Sequence, residues 1–185
     1  MVSLKTVQQS NAIISHLPSG LVGLFIGATS GIGQSALQHF AQHASSPRIY
    51  TIARPPSVAA HETLLASLRQ SNPNGSYTLI TADVSLVSEI DKVVEAITHN
   101  ETKLGVLFMS AGFMAFEGRK DTRKGLDPSI TTRYYARLRA VQELLPLLNN
   151  PAAQSPRVVS VLAGGIEGPL HERDLDLRDL RDPEN

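Results

Sequence analysis

Residues 21–33, "LVGLFIGATSGIG", constrain the fold more than any other stretch of this chain. The first half is a short apolar run, which fits a strand buried on both faces. The second half places Gly27, Gly31 and Gly33 at the spacing G-x-x-x-G-x-G. Beyond it, Ile32, Ala36, Leu37, Phe40 and Ala41 recur at helical spacing, which predicts a helix with these residues on its core face. A glycine turn between a strand and a helix start brings unpaired backbone N–H groups and the positive end of the helix dipole to one point. Glycine also lets the chain turn sharply and lets a phosphate approach the backbone closely. The turn therefore reads as a pyrophosphate cradle for a dinucleotide, or else as a tight turn inside an α/β protein.

Strands and helices alternate along the rest of the chain. Residues 48–53, 76–82, 104–112 and 157–163 read as further strands. Residues 58–70 and 86–98 read as helices, the second with Val87, Ile90, Val94 and Ile97 on one face. A long helix is predicted after Asp127, a natural N-cap, with Pro128 in its first turn. Its apolar stripe is read as Ile130, Tyr134, Leu138, Val141, Leu145 and Leu148, and Pro146 is expected to kink or end it. Such alternation predicts a doubly wound parallel sheet. At 185 residues the chain is expected to form a single domain, 1–185, carrying a charged tail over residues 171–185.

Composition narrows the function. Formal net charge is zero, which leaves no electrostatic footprint for nucleic acid or a membrane surface. No stretch approaches the roughly 20 apolar residues that span a bilayer, and the N-terminus lacks the pattern of a signal peptide. The chain has no cysteine, which removes disulfides, thiolate zinc sites and a cysteine nucleophile, and fits a cytoplasmic protein. His39 and His43 stand four apart on the first predicted helix, but no third ligand accompanies them, so no metal site is expected.

Four motifs occur in a telling order: "GATSGIG" (27–33), "ADVS" (82–85), "SAG" (110–112) and "RVVSVLAGG" (157–165). Together they resemble the short-chain dehydrogenase/reductase superfamily, from about Leu21 to at least Gly165. The phrasing "TRYYARLRAVQELLPLL" is further similar to a divergent, largely fungal branch met in natural-product pathways. The resemblance implies a Rossmann-type sheet in the order 3-2-1-4-5, lacking the family's last strands. It implies a cofactor site at Gly27, Thr29, Ser30, Gly31, Ile32, Gly33, Asp83, Val84, Ser110, Ala111 and Gly112, with Asp83 and Val84 beside the adenine. It also implies an oxidoreductase acting on a small molecule. Arg54 adds a cofactor preference. Nicotinamide enzymes of this fold carry an acid about 20 residues past the glycines for NAD, or an arginine for the 2′-phosphate of NADP. Here the second strand runs into "ARPP", so NADP is expected over NAD.

The family's catalytic Asn, Ser, Tyr and Lys are not found at the matching positions. Arg133 stands at the Asn position, Leu162 and Ala163 stand where serines are expected, and no Y-x-x-x-K occurs. Tyr134 is expected in the core, whereas Tyr135 is the tyrosine that could face the site. Arg133 could polarise a carbonyl or bind a carboxylate. The catalytic residues stay unknown, and a non-redox catalyst or a non-catalytic binding protein stands as the alternative. The fifth strand is expected to be an edge covered by the tail, the N-terminal segment or a second subunit.

Overall fold

The structure, a computed structural model, describes residues 2–114, 118–153, 155–164, 168–169 and 172–175. Gly165 and most of the charged tail lie outside the described residues. Helix α1 (Leu4–Ala12) precedes β1 (Val22–Ile26) and α2 (Gly31–His43). Then follow β2 (Arg48–Ala53), α3 (Val58–Ser71), β3 (Ser76–Thr81), α4 (Val87–Asn100) and β4 (Val106–Met109). A short helix α5 (Pro128–Ile130) passes through a π-helical turn (Thr131–Tyr135) into α6 (Ala136–Leu148), and β5 (Arg157–Ser160) closes the series.

All four strand pairings are parallel, and the sheet order is β3-β2-β1-β4-β5. This is the doubly wound Rossmann-type order expected from the sequence. Every residue of β1 is buried, as a central parallel strand with helices on both faces requires. Alternate side chains then feed two cores. Leu24, Ile26, Ile52, Leu107 and Met109 pack with Ile90, Val93 and Ile97 of α4 and with Ala140 and Leu144 of α6. Phe25 and Ile49 pack on the other face with Leu37 and Phe40 of α2 and Leu65 and Leu68 of α3. The Phe25 ring lies 5.5 Å from that of Phe40 and 5.6 Å from that of Phe108, centroid to centroid. β5 differs, because all four of its residues are exposed. Helix α1 buries none of its residues and packs against α2.

The long helix corrects the sequence reading. Asp127 caps it as expected, its Oδ1 accepting from the Ser129 and Ile130 amides at 2.9 and 3.1 Å. The buried face, however, is Ala136, Arg137, Ala140, Leu144, Leu147 and Leu148. Tyr134 (55% exposed), Leu138 and Leu145 face outward instead of forming a core stripe. The Ala136 N–H bonds back to the Thr131 carbonyl, a five-residue step at the start of this helix. Within α6 the buried row lies one residue before the expected stripe, because Ala136, Arg137 and Ala140 share it with Leu144 and Leu147. Pro146 sits inside the last turn, and the helix ends two residues later.

Candidate functional site

The strands end where the sheet order reverses. β1 and β4 lie side by side, but their following helices cross to opposite faces, which opens a crevice at the carboxyl ends of the strands. A cleft of about 320 Å³ occupies this crevice. All twelve residues expected from the sequence to form the cofactor site line it: the glycine turn, Arg54 after β2, Asp83 and Val84 after β3, and residues 110–112 after β4. Ser57, Ser85, Phe113, Thr132 and Val161 line it too, and the sequence reading did not single them out for the site.

The two loops at the reversal are tied together. Ser110 donates its hydroxyl to the Gly27 carbonyl at 3.0 Å, and its amide bonds the Ile26 carbonyl at 2.8 Å. Helix α2 sits tightly on this junction. A Cβ at Gly33 would lie 2.2 Å from the Gly27 oxygen and 2.4 Å from Ser110 Oγ, so only glycine allows the approach. Gly31 has a different reason. Its φ is +59°, in the left-handed region, and no atom lies within 4 Å of where its Cβ would be. The turn is therefore closed underneath and open towards the cleft, where the first amides of α2 have no intrahelical partner. Ile32, expected on the core face of α2, is 66% exposed and lines the cleft.

Charge in the lining is sparse. Arg54 is exposed, with no carboxylate bonded to it among the described residues, at the C-terminal end of β2. Asp83 Oδ1 accepts from the Ser85 amide at 3.0 Å, an Asx turn, while the helix N-cap is Leu86. The carboxylate thus orders its own loop while still lining the cleft.

At the β4–β5 side the structure holds a residue that the sequence reading passed over. Arg137 is 8% exposed. Its Nη1 donates to Ser160 Oγ and to the Val161 carbonyl, both at 2.7 Å, and its Nη2 donates to the Ala111 carbonyl at 2.6 Å. All three acceptors are neutral, and its buried Nε has no partner. Burial, and secondarily the charge of Arg133, lower its pKa from the usual arginine value. Arg133 is exposed and donates to the Phe113 carbonyl, with its stem over Gly112, where an added Cβ would lie 3.9 Å from its Nε. The signal for Arg137 was present in the sequence: it falls at helical spacing with Ala140, Leu144 and Leu147.

The remaining expectations divide. Tyr135 is half-buried and its ring meets that of Tyr134 edge-on at 5.2 Å. Leu162 and Ala163 are exposed beyond the end of β5, and Ser160 is engaged by Arg137. The His39 and His43 rings stack 6.3 Å apart, and no group of three potential metal ligands occurs among the described residues. No described helix is long and apolar enough to cross a membrane.

Known proteins resemble this chain in sequence or in fold. An NmrA-like family domain-containing oxidoreductase, notO, from Aspergillus sp. (strain MF297-2) is 73% identical over 97% of the chain and 54% of its own length. A short-chain dehydrogenase/reductase, SAT2, from Stachybotrys chartarum is 32% identical over 89% of the chain and 50% of its own length. The chain thus spans about half the length of the curated relatives it matches. Among solved structures, a short-chain dehydrogenase from Sphingobium yanoikuyae in complex with NADPH is 26% identical, with a TM-score of 0.55 over 68% of this chain and 47% of that one. A Pseudomonas aeruginosa NADP active-site complex, 23% identical, shares the fold with a TM-score of 0.57 over 72% of this chain and 50% of that one. The sequence profile of the short chain dehydrogenases matches residues 22–168, from the first residue of β1 to beyond β5, so the strand order, the glycine turn and the sequence agree that the chain belongs to that family.

Proposed function

We propose that the protein binds NADP(H) in this cleft and serves an oxidoreductase reaction on a small natural-product carbonyl compound. One observation carries the reading: a single crevice gathers the glycine turn, the adenine-side loop 83–84 and an exposed Arg54 that has no bonded carboxylate among the described residues. The residues fit the group. The α2 start and the open side of Gly31 would hold a pyrophosphate, Arg54 would meet the 2′-phosphate, and Asp83 and Val84 would hold the adenine side. When bound, the nicotinamide supplies hydride to a carbonyl carbon, or takes it from the corresponding alcohol. The chain's part is to orient the partners: Gly112, Phe113, Thr132 and Val161 form the end of the cleft farthest from Arg54 in strand order. NADPH-bound relatives of the fold support the cofactor, and fungal oxidoreductases of the same family support the reaction class.

A second reading follows from the end of β5. Leu162 and Ala163 offer no hydroxyl to hold a carbonyl oxygen, which favours a non-redox use of the pocket such as isomerisation or dehydration. Titration of the purified chain with NADPH, followed by the fluorescence of the nicotinamide, tests the first reading. Saturable binding that weakens on Arg54→Ala supports it. Substrate turnover with no change in nicotinamide absorbance would replace it by the second. The exposed β5 also supports a second subunit, or another segment, covering that edge.

A further inference from the structure

We infer that the substrate end of the cleft selects an anionic substrate, a small-molecule carboxylate, and that Arg133 is the residue that contacts it. The inference rests on the cleft being the substrate site proposed above. Arg133 and Arg137 stand four residues apart across the π-helical turn and the start of α6, and both reach the loop after β4, Arg133 at the Phe113 carbonyl and Arg137 at the Ala111 carbonyl. Arg137 is buried and bonded only to neutral acceptors: the Ala111 and Val161 carbonyls and the Ser160 hydroxyl. A buried guanidinium is costly when no anion accompanies it, and these bonds offset only part of that cost. Arg133 adds a second positive charge beside it, over Gly112 and bonded to the Phe113 carbonyl.

Neither arginine has a carboxylate partner among the described residues. The one acid lining the cleft, Asp83, follows β3 at the opposite edge of the sheet and is turned onto the Ser85 amide. Two like charges thus stand beside the Gly112–Phe113 end of the cleft, with no carboxylate bonded to either among the described residues. Arg137 is fixed by three bonds and serves as a positioning residue, holding the ends of β4 and β5 and contributing field. Arg133 is exposed and commits one N–H to Phe113, so its remaining donors are available to a ligand in the bidentate geometry that carboxylates accept.

The test uses phenylglyoxylate and its neutral methyl ester, probes that differ by the charge and one methyl group. Each is titrated against the full chain by saturation-transfer NMR, with and without NADPH. The acid is expected to bind at least about tenfold more tightly than the ester, the scale of a charge-assisted hydrogen bond. Arg133→Gln should reduce acid binding about tenfold while leaving the ester unchanged, and Arg133→Lys should restore part of it. Because Arg133 is exposed, both variants should keep the wild-type melting temperature. Equal binding of acid and ester, no acid binding at millimolar concentration, or acid binding unaffected by Arg133→Gln overturns the inference. A chain that fails to bind NADPH but still prefers the acid refutes the cofactor reading and leaves the anion site standing.

Discussion

Gly33→Ala isolates the contact on which the glycine turn depends. The added methyl carbon would lie 2.2 Å from the Gly27 oxygen, 2.9 Å from the Gly27 carbonyl carbon and 2.4 Å from Ser110 Oγ. Two of these atoms are backbone and cannot rotate away, so α2 must lift by about 1 Å to restore ordinary contact distances. Overpacking of this kind costs about 1–3 kcal/mol. Lifting also strains the Ser110–Gly27 hydrogen bond, worth about 1 kcal/mol, whereas alanine's better helix propensity returns up to about 1 kcal/mol. The expected net loss is about 2 kcal/mol, a fall in melting temperature of about 4–8 °C for a chain of this size. Gly31→Ala provides the contrast. It meets no atom within 4 Å, and its cost is the left-handed backbone alone, about 1–2 kcal/mol. A double-mutant cycle with Ser110→Ala sharpens the reasoning. Removing Oγ relieves one of the overlaps, so the two substitutions together should cost less than their sum, but the Gly27 oxygen prevents full recovery. Thermal unfolding and NADPH titration of the four proteins provide the assay. A Gly33→Ala protein that melts within about 1 °C of the parent and binds NADPH unchanged would refute the packing argument.

Other outcomes follow from single contacts. Arg54→Ala should weaken NADP binding by about 1.5–3 kcal/mol and leave NAD almost unaffected, as read by parallel titrations; equal losses would remove Arg54 from the phosphate site. His61 is 2% exposed and neither ring nitrogen has a partner, so burial lowers its pKa below 6.5, with Glu62 acting weakly in the other direction. The unfolded chain then binds the proton more readily, and stability, fully present above pH 6.5, should fall as pH drops through that value. His61→Leu should flatten this slope in urea unfolding from pH 7 to 5, and an unchanged slope would exclude His61 as its source. The Glu101 carboxylate accepts from Arg48 and Tyr50 at 2.7 and 2.6 Å, and burial with this bond pushes the Tyr50 hydroxyl up to about 12. Glu101→Leu should cost about 1–3 kcal/mol, chiefly by leaving the buried Tyr50 hydroxyl unpaired, since Arg48 is half exposed; this is more than Tyr50→Phe, and the reverse order in denaturant midpoints would contradict the network. Finally, NADPH oxidation with simple uncharged ketones should stay near background, since a positioned acid supplies about 10²–10⁴-fold and Leu162 and Ala163 supply none; steady turnover abolished by Gly31→Trp would show that another residue does.

The strand framework was legible because it depends on local pattern. Short apolar runs bounded by turn residues mark parallel strands buried on both faces, and β1 to β4 lie where those runs fall. The cofactor-side loops were legible for a related reason. A glycine turn must have its glycines whatever the surroundings, and strand ends at a topological switch point must converge. The face of α6 was read one residue off, because two alanines and an arginine, Ala136, Ala140 and Arg137, share the buried row with Leu144, Leu147 and Leu148. Reading the largest apolar residues as the core then selected Tyr134, Leu138 and Leu145, which are exposed.

The same misread face explains why Arg137, at the β4–β5 end, escaped notice. An arginine among alanines and leucines reads as a surface residue, because a buried guanidinium without an acid is normally too costly. What makes the position tolerable is tertiary. Residue 111 follows β4 and residues 160–161 end β5, and only when these strands pair side by side do two carbonyls and a hydroxyl converge on Nη1 and Nη2. Ser110 repeats the lesson across the switch point, where its hydroxyl reaches the Gly27 carbonyl 83 residues earlier. Backbone geometry thus fixes where the cleft lies, and long-range side-chain bonds fix what it carries. The charge beside its far end follows from the second kind of bond: Arg137 is held by neutral acceptors after β4 and β5, and Arg133 lies over Gly112 and bonds the Phe113 carbonyl, two residues that line the cleft.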